Sequence, residues 1–98
     1  MTKKIPIKGF LSFFILHELA QEQQSGDALA VSIGRRKNSI LTPGTIYPTL
    51  KALKRQKLVR WKRDGRKKVY YLTPDGKKEL KLLYQEIKRY LKGMKSYF

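Results

Sequence analysis

The chain has 98 residues, of which 23 are Lys or Arg and 7 are Asp or Glu, giving a formal net charge of +16. That length allows one small domain, residues 1–98, and a hydrophobic content of 41% argues against a basic disordered tail. No apolar run is longer than four residues, so no segment spans a bilayer, and the absence of cysteine excludes disulfides, thiol catalysis and thiolate metal sites.

The first residues, Met1 to Pro6, place basic side chains before an apolar stretch as a signal peptide does, but no small-residue cleavage site follows. A cytoplasmic protein is therefore expected. Phe10 to Leu19 reads as a first helix, apolar on more than one face, which belongs in a core or between subunits. Ser25-Gly26-Asp27 breaks it and offers a cap to a second helix through Ala28, Leu29, Ala30, Val31 and Ile33, with Arg35-Arg36-Lys37 near its end and Asn38-Ser39 closing it.

Thr42-Pro43 opens a third helix, a hydroxyl cap followed by proline at the first helical position. Ile46, Leu50 and Leu53 form its apolar stripe, with Lys51, Lys54 and Arg55 outside. Pro48 predicts either an irregular first turn, with regular helix from near Thr45, or a kink. Next come two β-favouring runs, 58–63 and 66–72, around Asp64-Gly65, which predicts a hairpin with a type I′ turn centred on that dipeptide. Thr73-Pro74 then repeats the cap-and-proline signal for a last helix. Along it Leu80, Tyr84, Ile87, Leu91 and Met94 recur at spacings of four and three, a seam suited to another helix, and Leu83 and Tyr90 widen it. A protomer core would also absorb that face; its length in so small a domain favours a dimer contact.

The charge is concentrated in the second half. Lys51, Lys54, Arg55, Lys57, Arg60, Lys62, Arg63, Arg66, Lys67 and Lys68 face a single acid, Asp64, within 51–68. A basic run is often no more than a solvated surface, but this one falls on the third helix and the hairpin. Helix, helix, helix, hairpin, helix is the layout of a winged helix-turn-helix, mainly α with a small β-hairpin (α+β). Residues 8–72 form its core and 73–98 a C-terminal dimerisation helix. The polyanion implied by the charge is then double-stranded DNA.

The stretch Leu41-Thr42-Pro43-Gly44-Thr45-Ile46-Tyr47-Pro48-Thr49-Leu50 resembles the PadR family of winged-helix transcriptional regulators, which carries a near-identical Pro-Gly-Thr-Ile-Tyr-Pro at the start of its recognition helix. The similarity covers roughly residues 8–80, through Leu53, Leu58-Val59, Tyr70, Leu72, Thr73 and Gly76, with Gly9, Leu11 and Ile15 in the first helix. The chain departs from the pattern at Asp27, where an aromatic is usual, and at Lys54 and Lys57, where an acid and a glycine are usual.

The resemblance implies a homodimer held by the last helix, often with the first, that represses transcription from a pseudo-palindromic operator. It also implies the short, minimal type. Some members bind planar aromatic ligands between subunits, so a small aromatic effector is a further expectation. No cofactor is implied.

Carried onto this chain, the resemblance places Pro43, Gly44, Thr45 and Tyr47 at the groove-facing start of the recognition helix, with Lys51 one turn on. Gly44 would let backbone approach a phosphate, and the hydroxyls of Thr45 and Tyr47 suit base or phosphate contacts. The alternative for Tyr47 is a half-buried ring holding the helix against the wing. Around the hairpin tip, Lys62, Arg63, Gly65, Arg66, Lys67 and Lys68 are expected to clamp phosphate or enter a minor groove. Leu80, Leu83, Tyr84, Ile87, Leu91 and Met94 are the expected dimer interface. Trp61 is either a platform for an aromatic ligand or, more commonly for a strand tryptophan, a cover over the core. His17 has no second His or Cys to share a metal, and no nucleophile–base set is present, so neither a metal site nor an enzyme is expected. The expected function is sequence-specific DNA-binding regulation. Its rivals are an architectural DNA-coating protein and a small protein–protein adaptor.

Overall fold

The computed structural model describes residues 7–37 and 43–94, with side chains described over 10–35 and 44–93. Helix α1 (Ile7–Gln21) leads through a two-residue strand β1 (Gln24–Ser25) into α2 (Gly26–Lys37), and α3 (Pro43–Arg55) follows. Strands β2 (Val59–Asp64) and β3 (Lys67–Leu72) form the hairpin, and α4 (Pro74–Met94) ends the described chain. The architecture is mainly helical with one small antiparallel sheet, as the pattern of the sequence predicts. Asn38, Ser39 and Thr42, expected as helix terminators and cap, lie outside the described residues.

The sheet has three strands in the order β1-β3-β2, one more than the expected hairpin. In β1, Gln24 pairs with Tyr70 and Ser25 with Val69. Ser25 serves two roles, because its Oγ also accepts a hydrogen bond from the Ala28 amide at 3.2 Å and so caps α2.

Helix α1 is central, packing against α2, α3, α4 and β3. Its Leu11, Ile15, Leu16 and Leu19 join Leu29, Ala30 and Ile33 of α2, Ile46, Leu50 and Leu53 of α3, and Val59, Tyr70, Leu72 and Leu80 in one buried core. The expected stripe of α3 is thus wholly inside. This helix is regular from Pro43 onward, not from Thr45, and it runs through Pro48. Proline has no amide to offer the Gly44 carbonyl four residues back; both residues are exposed, so the missing bond falls on the outer side.

The end of α3 is built from an unusual residue. Leu58 donates its amide to the Leu53 carbonyl at 3.0 Å and Lys57 to Lys54 at 2.9 Å, the paired bonds of a Schellman C-cap. Lys57 occupies the left-handed position of that motif with φ 64°, a conformation that favours glycine. The start of α4 locks onto the same turn. Thr73 donates its hydroxyl to the Lys57 carbonyl at 2.7 Å and accepts from the Gly76 amide at 3.0 Å, while its own amide donates to Leu58 at 3.1 Å. A Cβ on Gly76 would lie 2.0 Å from the Leu58 carbonyl oxygen, so only glycine permits this approach.

The hairpin turn differs from expectation by one residue. Asp64 pairs with Lys67, so the two central residues are Gly65 and Arg66, not Asp64 and Gly65. Only Gly65 has positive φ, 63°, the pattern of a type II′ turn. Both turn types match the twist of a hairpin, and a glycine at the first central position selects II′.

Candidate nucleic-acid interface

With Ile46, Leu50 and Leu53 turned inward, the periodicity of α3 leaves Gly44, Tyr47, Pro48, Lys51 and Arg55 along its exposed side. Thr45 is exposed beside them; the side chain of Pro43 lies outside the described residues. Four expected residues, Gly44, Thr45, Tyr47 and Lys51, therefore share an accessible surface with two others, Pro48 and Arg55. The i+3, i+4 spacing of the proline and the last arginine on that row was the available signal for them.

Tyr47 is held in a way the sequence did not disclose. Its hydroxyl donates to Asp27 Oδ1 at 3.2 Å, and its ring lies so close to Gly26 that a Cβ there would fall 2.6 Å from it. The side chain is 38% exposed and braces α3 against the start of α2. Burial first, then the hydrogen bond and negative charge of Asp27, push its phenol above the ordinary 10.0, so it remains a neutral donor shared with a carboxylate.

The wing outgrows the core. On its inner face Val59, Tyr70 and Leu72 are buried and Trp61 is half-buried against the core, whereas residues 62–68 are all exposed. Every expected wing residue, Lys62, Arg63, Gly65, Arg66, Lys67 and Lys68, belongs to this protruding end. Strand alternation sends Arg63 and Lys68 to the Trp61 side and Lys62 and Lys67 to the other, so both faces end in cations. Two of these ammonium groups reach aromatic rings: that of Lys68 lies 4.6 Å from the Trp61 centroid, and that of Lys62 lies 5.9 Å from the Tyr71 centroid. Lys54 approaches Trp61 from α3 at 5.5 Å. Arg35 is exposed on α2; the side chains of Arg36 and Lys37 lie outside the described residues.

Along α4 the expected seam divides. Leu80 is 4% exposed and fills the protomer core, which corrects its placement in an intersubunit seam. Leu83 and Ile87 are half-buried, Leu83 against the core. Tyr84 contacts α1, with its hydroxyl 2.5 Å from His17 Nδ1 and its ring edge-on to Phe13 at 5.5 Å. Leu91 is 55% exposed, as is Leu82, a residue outside the expected heptad. The side chain of Met94 lies outside the described residues. Among the described residues no helix is long and apolar enough to cross a membrane, and no cluster of three metal-ligating side chains occurs.

Comparison with known proteins decides the assignment. The transcriptional regulator PadR-like family matches residues 15–82, which is most of the chain. This chain belongs to the PadR-like family. Among solved structures, a PadR family transcription regulator from a hypervirulent Clostridium difficile strain is 25% identical, with a TM-score of 0.77, covering 91% of this chain and 98% of its own. A PadR-like transcriptional regulator from Bacillus cereus shares the fold at a TM-score of 0.85 and 24% identity, with 96% of each chain covered. A transcriptional regulator from Clostridium thermocellum aligns over 99% of this chain and 98% of its own at 18% identity and a TM-score of 0.83. Among curated protein sequences none matches. The PadR-like family and these neighbours are transcriptional regulators and not enzymes, and the winged helix with DNA-binding regulation is the reading they support.

Proposed function

We propose that this PadR-like chain is a cytoplasmic, homodimeric repressor that binds a pseudo-palindromic operator in double-stranded DNA. The observation that carries the reading is the exposure of polar and basic side chains on two elements that pack together. The outer row of α3, with Gly44, Thr45, Tyr47, Lys51 and Arg55, is exposed, and α3 packs on β2 of a wing whose residues 62–68 hold five cations and one acid outside the core. The α3 row suits base edges in a major groove, and the wing suits the neighbouring phosphates. Exposed Tyr84, Tyr90 and Leu91 on α4, with Leu83 and Ile87 at their edge, support pairing of two protomers through that helix. Two recognition helices would then enter successive major grooves about one helical turn apart.

The charge of +16 favours a second reading, an architectural protein that coats DNA with little regard for sequence. The DNA flanking the protein's own gene is scanned for inverted repeats, and affinity for such a candidate operator and for random duplex, measured across a salt series, separates the two. A repressor retains a preference of about a thousandfold or more at physiological salt, whereas a coating protein binds both alike. Failure to bind either duplex at low salt would refute both.

A further inference from the structure

Beside the wing lies an open groove of about 560 Å³, lined by Lys54, Lys57, Val59, Arg60, Trp61 and Thr73. It joins the C-terminal end of α3 to the outer strand of the wing. Three of its six lining residues are cationic and none is acidic. A fourth cation, Lys68, reaches the same tryptophan ring.

Two features show that this collection of charge is held in place. The Trp61 ring receives the ammonium groups of both Lys54 and Lys68, at 5.5 and 4.6 Å from its centroid. A cation–π contact orients a lysine while leaving N–H donors for another partner, which an ion pair with a carboxylate would neutralise. Lys57 sits at φ 64°, where glycine would relieve the backbone and remove the charge. Like charges gathered without a counter-charge repel, and a bound anion relieves the repulsion.

We infer that this groove is a phosphate seat, in which Lys54, Lys57 and Arg60 bind a phosphate ester and Trp61 is a positioning residue for Lys54 and Lys68. The ester is either a phosphodiester of bound duplex or a free phosphate. The duplex case rests on the DNA-binding reading above; the free-phosphate case does not. Arg60 supplies a planar fork suited to two phosphate oxygens, and the lysines supply point charges from the other elements. Since the groove spans both α3 and the wing, its occupation fixes the spacing between them.

Trp61 is the sole tryptophan in the chain, so its emission reports on the groove directly. The test titrates the full chain with a random 20-base-pair duplex and, separately at constant ionic strength, with inorganic phosphate. The key variant is Lys57→Gly, which removes a charge while relaxing the backbone, so its melting temperature should be unchanged or higher. Lys81→Ala on α4 removes one charge from a residue that does not line the groove, eight positions beyond Thr73, and serves as the control.

The expected result is a change in Trp61 emission that Lys57→Gly weakens at least threefold and Lys81→Ala does not. For duplex, the slope of log affinity against log salt should fall by about one per protomer in Lys57→Gly alone. Emission that responds to phosphate as well as duplex identifies the free anion as an occupant. Trp61→Leu should weaken binding of labelled duplex, and Trp61→Phe, which keeps a π face, should restore most of it. Loss of duplex binding in every protein, with a Lys57-dependent phosphate response retained, would remove the DNA reading and leave the seat. The inference is overturned if Lys57→Gly binds both probes as the parent does, or if Lys81→Ala is equally impaired.

Discussion

Helices α3 and α4 begin alike and end in opposite ways. Each starts with Thr-Pro, and each carries an apolar stripe at helical spacing. In α3 the stripe is used up inside the protomer, with Ile46 and Leu50 at 0% and Leu53 at 3% exposure, and what remains outside is polar and basic. In α4 the stripe starts inside at Leu80 and emerges by Leu91, so apolar surface is left over. A helix with surplus charge and a helix with surplus apolar area call for different partners, a polyanion for the first and a protein surface for the second.

The contrast is broken most severely by Leu50→Ala, which opens a cavity where the α3 stripe is fully buried and should cost about 2–5 kcal/mol in a denaturant melt. The same truncation at Leu91 should change protomer stability by no more than about 0.5 kcal/mol, because that side chain is half in water. Leu91→Glu places a charge where the proposed dimer is apolar and should weaken association by about a hundredfold or more in sedimentation equilibrium. An unchanged dimer would show that the surplus surface of α4 has another purpose.

On the charged side, Arg66→Ala in the wing turn should weaken binding about equally on all duplex sequences and lower the salt slope by about one per protomer. Smallest is Tyr47→Phe. The phenol of Tyr47 is raised above 10.0 by burial and then by Asp27, so its neutral form favours the fold. That contribution is complete below pH 10.0 and is lost as pH climbs through the raised value. Tyr47→Phe should therefore flatten part of the alkaline fall in melting temperature, leaving the parts due to Tyr70 and Tyr84, whose phenols burial also raises.

Local chemistry made much of this legible beforehand. The cap at Ser25, the prolines at 43 and 74, the stripe of α3 and the Asp-Gly signal are each set by a few adjacent residues, and each lies where the pattern places it or one residue away. What the sequence concealed depends on partners distant along the chain. Strand β1 is two residues long and exists only because Tyr70 and Val69 arrive beside it. The turn register is settled by the Asp64–Lys67 pairing. Leu80 reads as part of a continuous seam, yet α1 and the sheet enclose it. Tyr47 gives no local hint that Asp27, twenty residues earlier, receives its hydroxyl. Lys57 as a residue does not suggest a left-handed backbone; the one hint was the glycine usual at that place in the PadR pattern, and the Schellman geometry itself arises from where α3 must stop for Leu58 to meet α4.

The central claim is that α3 and the wing form one DNA-facing surface and that the far end of α4 does not. Backbone amide shifts in a nitrogen–proton spectrum, recorded with and without duplex at moderate salt, test it most directly. Perturbations concentrated at Gly44, Thr45, Tyr47, Lys51 and residues 62–68, with Leu82 to Leu91 unmoved, are the predicted result. Shifts centred on α4, with the outer row of α3 silent, would contradict it.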